Sequence, residues 1–329
     1  MKIQAIAVCA IATALAAPSQ TVIDSPLLGM VLDRNAARLR PVYGVPGAAT
    51  MGDAIDTGND ISAAAVSPTG RYALVLSGSD SHAALLFADG HTEIPIAGVP
   101  FGVSQLALSP EGTAGALYYA TERVVRVVSG FPGSAAQVRS IDVSALPSTK
   151  PLLSVSDDGG SVLYSAGTYE TFILGGETGL RRLAMNGVPT ALAFRQGSHN
   201  ALIATAAGAE WIEDSGLRMS TRHVALDQDS TPASFIGISH DGTQGIFIES
   251  TGHVSMAGLS SSSRSGDSAN SVNCHCTDFA PQPAAGGTGY ILSEYNGKPI
   301  SLLDASTSPA RVFTIPPAGA AGKAQGRLQ

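Results

Sequence analysis

The sequence predicts an all-β chain: a β-propeller of four-stranded antiparallel blades, with seven blades favoured and six as the alternative. Three observations carry that expectation. A turn phrase returns along the chain, the apolar runs around it are short and strand-like, and the composition is that of a turn-rich protein. The phrase is a small or apolar run, a Ser, two turn residues and a Gly, then a second apolar run. It reads AVSPTGRYALVLSG, then ALSPEGTAGALYYA, SVSDDGGSVLYSAG and GISHDGTQGIFIES. The four turns begin at Ser67, Ser109, Ser156 and Ser239, at intervals of 42, 47 and 83 residues. The last interval is two periods, and a degenerate copy falls midway, with Arg195-Gln196-Gly197-Ser198 where the turn belongs. Self-similarity at about 40–47 residues with several strands per copy marks a propeller. The 329 residues include 37 Gly and 19 Pro, and only 14% are charged, which suits many short strands joined by tight turns.

One copy justifies the elements in order. ISAAAVS is an inner strand of small residues, fit for the crowded position nearest the axis. Ser67-Pro68-Thr69-Gly70 is a turn in which Pro presets φ and Gly accepts a positive φ. RYALVLS is a buried second strand and HAALLFA a third. Asp89-Gly90 is a hairpin signal, and HTEIPIAG is the fourth strand. The next copies parse alike: VSQLALS, GALYYAT, RVVRVVS and AQVRSIDV; then PLLSVS, SVLYSAG, ETFILGG and LRRLAM; then PTALAF, NALIATA, AEWIED and LRMSTRHVAL. The fifth gives PASFIGIS, QGIFIES and GHVSMAG, with the Ser-rich LSSSSRSGDSANS read as a long loop in place of a fourth strand. The sixth gives CHCTDFA, GYILSE, ISLLDA and RVFTIP, with an enlarged turn from Pro281 to Gly289. PLLGMVLDRNAARLRPVYGVP, near the front, reads as a third and a fourth strand about an Asn35 turn. It makes an incomplete seventh blade or an addition to the last, since a ring must close to leave no open edge.

Residues 1–16 read as a Sec-type signal peptide. Lys2 precedes an apolar run from Ile3 to Leu15, too short to span a bilayer, and Ala14-Leu15-Ala16 offers a small-x-small cleavage site. Cys9 follows the bulky Val8 and fits no lipoprotein anchor. The expected organisation is therefore signal 1–16, one propeller domain 17–316, and a disordered Gly/Ala-rich tail 317–329. The expected location is periplasmic or extracellular, with no membrane insertion after cleavage. The formal charge is −7, and no Lys/Arg cluster exceeds a pair, which excludes a nucleic-acid footprint.

With SPTG and SPEG in their strand context, the chain resembles the WD40-like repeats with a Ser-Pro-Asp-Gly turn found in secreted and periplasmic bacterial propellers of TolB and YVTN type. The resemblance spans about residues 25–316. The Trp-Asp pair of true WD40 repeats is missing, as is the Tyr-Val-Thr-Asn string. The resemblance thus implies fold and export, and names no activity.

No catalytic motif emerges. After the signal, the cysteines are Cys274 and Cys276, in NCHCTD. They stay open to a disulfide, to free or intermolecular thiols, or, with His275, to a soft-metal site. The seven His residues lack zinc-site spacing. Gly266-Asp267-Ser268 lacks the rest of a hydrolase motif. SDDGG at Ser156 to Gly160 reads as a hairpin turn rather than a sialidase Asp-box. Asp157-Asp158 and Asp227-Gln228-Asp229 offer two carboxylates each, too few for calcium. The single Trp, Trp211, argues against quinone-cofactor propellers, and no cofactor is expected. The reading is a monomeric binding or scaffold module for a protein or cell-envelope component, with the Ser-rich stretch and the Ser79 to His82 turn as the first contact candidates. The alternative is a hydrolase or lyase acting on glycans or lactones, with its residues gathered around the axial channel from several blades. The two differ at the channel wall: ionisable groups converging there mark the enzyme, small and apolar walls the module.

Overall fold

The repeated Ser is explained by the turn it builds. In the computed structural model, Ser67, Ser109, Ser156 and Ser239 each accept the amide of the residue five positions on through Oγ, from Tyr72 (3.4 Å), Ala114 (3.1 Å), Ser161 (2.9 Å) and Gln244 (2.9 Å). Their carbonyls accept the amides of Gly70, Gly112, Gly159 and Gly242 at 2.7–2.9 Å. Those glycines lie at φ between +68° and +83°, a conformation other residues adopt only under strain. The model describes residues 26–318 except 91–92, 148–149, 176–178, 215–218, 225, 227–230, 260–269, 275–278, 288 and 308.

Each such turn joins the first and second strands of a blade, and the strands meander outward from the axis. Blade 1 holds β1 (Leu27–Asp33), β2 (Arg38–Tyr43) and β3 (Thr50–Met51). Blade 2 holds β4 (Ile61–Val66), β5 (Tyr72–Ser77), β6 (His82–Phe87) and β7 (Glu93–Pro95). Blade 3 holds β8 (Gln105–Leu108), β9 (Ala114–Tyr119), β10 (Val124–Ser129) and β11 (Ala136–Asp142). Blade 4 holds β12 (Leu152–Val155), β13 (Ser161–Ser165), β14 (Glu170–Gly175) and β15 (Leu180–Ala184). Blade 5 holds β16 (Pro189–Phe194), β17 (Ala201–Thr205), β18 (Gly208–Asp214) and β19 (Met219–Val224). Blade 6 holds β20 (Ala233–Ile238), β21 (Gln244–Glu249), β22 (His253–Gly258) and β23 (Asn270–Asn273). Blade 7 holds β24 (Phe279–Ala284), β25 (Gly289–Ser293), β26 (Ile300–Asp304) and β27 (Arg311–Ile315). Every sheet is an antiparallel meander in chain order, six of four strands and blade 1 of three. The architecture is a seven-bladed propeller.

The second strands are apolar on both sides because each blade packs against two neighbours. All of β5, β9, β13 and β17 is buried. The core divides into seven clusters, one at each blade interface, and together they close the ring. Leu74 and Leu117 meet between blades 2 and 3, Met30 and Val75 between blades 1 and 2, and Val31 and Ile291 between blades 7 and 1. Each buried Leu, Ile or Val contributes about 1.5–3 kcal/mol.

Three strand assignments made from sequence are corrected. The first hairpin is not a third and fourth strand. β1 has the unbroken burial of a second strand and contacts β4 and β24 on either side, so β2 and β3 are third and fourth, and the innermost position of blade 1 has no strand among the described residues. Blade 6 does have a fourth strand, β23, which takes up the last two residues of the Ser-rich stretch and pairs with β22. Its polar sequence, NSVN, carries no apolar alternation because an outermost strand faces solvent. The inner strand of blade 7 is β24, not CHCTDFA, so most of the supposed enlarged turn is strand. Pro281 and Pro283 are tolerated because an inner strand is an edge strand toward the axis. The segments read as signal peptide and tail lie outside the described residues, save Pro317 and Ala318.

Side chains and loop backbone cover the place of the missing inner strand. The Gln282 amide bridges from blade 7 to blade 2, accepting from Val66 N at 2.9 Å and donating to Ala64 O at 3.4 Å. Arg34 Nη1 donates to Ser62 O at 3.1 Å. The inner edge of β1 is held by Ala285 N on Leu28 O (2.6 Å) and Tyr295 N on Leu32 O (2.9 Å).

Candidate functional site

The turns between first and second strands form a circle at one end of the axis, and they are stitched blade to blade. Tyr72 Oη of blade 2 donates to Gly112 O of blade 3 at 2.5 Å. Asp157, at the blade 4 turn, works in both directions. Its Oδ1 accepts Glu111 N of blade 3 at 2.6 Å and its Oδ2 accepts Gly197 N of blade 5 at 2.7 Å. Thr113 Oγ1 donates to Asp157 O at 2.6 Å. Above them, Gln196 Nε2 donates to Glu111 Oε1 at 3.2 Å, spanning from blade 5 to blade 3. Arg195, standing where the other copies have Ser, donates from Nη2 to Asp241 O of blade 6 at 3.2 Å.

Asp158 points into its own turn and toward His199, which meets its Oδ2 at 2.9 Å. Burial pushes the Asp158 carboxyl up, but hydrogen bonds from Ser156, Gly160 N and His199 outweigh it and hold the group below the usual carboxylate range. The pair Asp157-Asp158 is therefore a joint between blades.

Inside this circle lies an axial cavity of about 850 Å³. Its wall is made by the inner strands of blades 2 to 7 and is mostly apolar, with Leu106, Leu153, Leu192, Phe194 and Phe235 the large side chains. Among the described lining residues the ionisable groups are Glu111 and His240, at the turns, and the phenol of Tyr290. No Lys, Arg or Asp is among them. Glu111 and His240 sit on blades 3 and 6, in turns at the rim, not together on the wall.

Of the described residues singled out from sequence, His240 lines this cavity, while Cys274, the Ser79 to His82 turn and Trp211 do not. Cys274 follows β23 at the outer edge of blade 6; it is buried and disulfide-bonded. His275 and Cys276 lie outside the described residues, as do most of the Ser-rich stretch, Gly266-Asp267-Ser268 and Asp227-Gln228-Asp229. Among the described residues no group of three His, Cys, Asp or Glu side chains is placed to hold a metal ion. The Ser79 to His82 turn joins β5 to β6, at the opposite end of the axis from the stitched circle. There His82 bridges Asp80 Oδ1 (3.1 Å) and Glu93 Oε1 (2.8 Å) and stands edge-on to the exposed ring of Phe101. Trp211 is buried in β18 with its Nε1 on Glu213. Sequence reasoning missed Glu111, Gln196, Gln282 and Tyr290. The first two follow the Ser-turn register and could have been found by stacking the copies. The other two lay in and beside the segment misread as a turn.

This geometry defines the class, a seven-bladed β-propeller with a mostly apolar axial cavity. No family model matches the chain, and no curated protein matches its sequence. Solved structures do match. A functionally unknown protein from Desulfotomaculum acetoxidans DSM 771 is 13% identical with a TM-score of 0.62, over 88% of this chain and 99% of that one. The Cps50 (Swd1) beta-propeller domain of Myceliophteria thermophila is 9% identical with a TM-score of 0.56, over 78% of this chain and 86% of that one. At such identities the likeness is one of fold.

Proposed function

We propose that this chain is an exported binding propeller that engages a protein or another cell-envelope component and carries no catalytic centre at its axis. The observation that carries the reading is the axial wall. Propeller enzymes gather ionisable groups there, whereas this wall is mostly apolar and its ionisable groups among the described residues are the rim residues Glu111 and His240 and the phenol of Tyr290. Export is supported by the apolar run of residues 3–15 with its small-x-small site, and by the resemblance of the Ser-Pro-x-Gly turns to secreted TolB- and YVTN-type repeats. The disulfide at Cys274 accords with an oxidising compartment, and pairing with Cys276 is the arrangement we propose.

The test immobilises residues 17–329 and exposes them to envelope extract and culture supernatant, beside a version lacking residues 261–268, which spares the buried Leu259 and β23, and a Glu111→Lys version. One partner that, once purified, binds saturably and is weakened by either change is the expected result. Turnover of glycans or lactones by the pure chain, lost in Glu111→Gln or His240→Ala, would overturn the proposal in favour of an enzyme.

A further inference from the structure

The axial cavity contains a polar group that the fold leaves unbonded. Tyr290, on β25, is 7% exposed and lines the cavity. Its hydroxyl lies against Gly237 of β20, so closely that a Cβ there would overlap it. Gly237 also lines the cavity. Among the described residues nothing donates to or accepts from Tyr290 Oη. Three other tyrosines on second strands have bonded hydroxyls. Tyr72 Oη reaches Gly112 O at 2.5 Å, Tyr119 Oη reaches Pro100 O at 2.8 Å, and Tyr164 Oη reaches Pro147 O at 2.7 Å. The Tyr290 hydroxyl thus stands on the cavity wall with its donor and acceptor both open to whatever fills the cavity.

The surroundings restrict what that ligand can be. The volume suits a molecule of drug size. The Phe235 ring stands edge-on to Tyr290 at 5.7 Å and 68°, offering an aromatic corner beside the hydroxyl. Among the described lining residues there is no Lys or Arg to receive an anion, and the one carboxylate, Glu111, is at the rim and repels one. Burial pushes the Tyr290 phenol up to about 12, so it is a neutral donor at ordinary pH. We infer that the axial cavity binds an uncharged, largely apolar aromatic molecule whose carbonyl or ether oxygen accepts the proton of Tyr290 Oη. This goes beyond the binding of a macromolecular partner and stands whether or not one is found.

Nile red, an uncharged fused aromatic with a ring carbonyl, is the probe, read by fluorescence titration of residues 17–329. Saturable one-to-one binding is expected. Tyr290→Phe should weaken it about tenfold, the worth of one buried hydrogen bond. The same variant should melt no lower than wild type, since it removes an unbonded polar atom. A purely structural tyrosine would lower the melting temperature and leave affinity alone. Leu153→Trp, which fills the cavity from β12, should abolish binding, and Ala64→Phe does the same from β4 if the first fails to fold. Non-saturable binding, an unchanged Kd in Tyr290→Phe, full binding by a folded cavity-filled variant, or tighter binding of the anionic 1-anilinonaphthalene-8-sulfonate would each overturn the inference.

Discussion

Asp157→Ala tests whether the circle of turns holds the blades together. The carboxylate takes two backbone amides from different blades, Glu111 N at 2.6 Å and Gly197 N at 2.7 Å. A hydrogen bond to a charged group contributes about 1.5–3 kcal/mol. Asp157 is only half-buried, and water can rebond part of what is lost, so the low end applies to each bond. Alanine should therefore cost about 3 kcal/mol, and Asp157→Asn, which keeps one acceptor oxygen, about half of that. For a chain of this size that is a fall in melting temperature of about 6 °C and about 3 °C. Differential scanning calorimetry at neutral pH reads both. Exposed Asp142, whose carboxylate bonds Ser144 two residues on in the same loop and no other blade among the described residues, is the control, and its alanine variant should shift the melt by about 1 °C or less. If Asp157→Ala melts with the control, or if Asn costs as much as Ala, the bridge is not what the two bonds suggest.

Four further outcomes are expected. Gly112→Ala places a Cβ on the buried Tyr72 hydroxyl at φ +83° and should cost about 2–3 kcal/mol in urea unfolding; Gly58→Ala, at φ +75° with open space around it, should cost about 1 kcal/mol, and equal costs would remove the steric argument. Gln282→Ala deletes both bonds across the place of the missing strand, about 2 kcal/mol, and hydrogen exchange should show faster loss of protection at the Val66 amide than at the Ser67 amide. Burial pushes the Glu249 carboxyl up, but bonds from Thr231 and His253 hold it below its ordinary value. The unfolded chain then takes up that proton first as pH falls, so the stabilisation is whole above about pH 4.3 and lost below it, and Glu249→Gln should flatten the acid limb of the melting curve. Burial pushes the His82 imidazole down, yet Asp80 and Glu93 together raise it. Its stabilisation is whole below about pH 6.5 and lost as pH rises through the raised value; NMR titration should place His82 above the free imidazole and Glu93→Gln should bring it down.

What sequence made legible was whatever local chemistry dictates. The Ser, the positive-φ Gly and the doubly apolar second strand are requirements of one turn and one packing position, so they repeat and can be read. The degenerate copy at Arg195 was found by spacing alone, and its side chain does a different job, reaching to blade 6. Polar outer strands such as β23 left no pattern, because one face of an outermost strand has nothing to pack on. The prolines of β24 imitated a turn, because the rule against Pro in strands does not apply to the edge that faces the axis. The cavity was legible only as the smallness of the inner strands. Tyr290 was not, since its meaning depends on a missing bond, and a missing bond has no signature in sequence.

Six of the seven blade interfaces join stretches adjacent along the chain, and each can form as soon as its two blades exist. The seventh, between blades 1 and 7, joins stretches about 250 residues apart and is fastened by an apolar cluster and backbone hydrogen bonds, not by an exchanged strand. The entropy of closing such a loop grows only with the logarithm of its length. Closure is therefore modest in cost yet available only after everything else has formed. That sets the closing interface apart from the other six, each of which needs only two neighbouring blades.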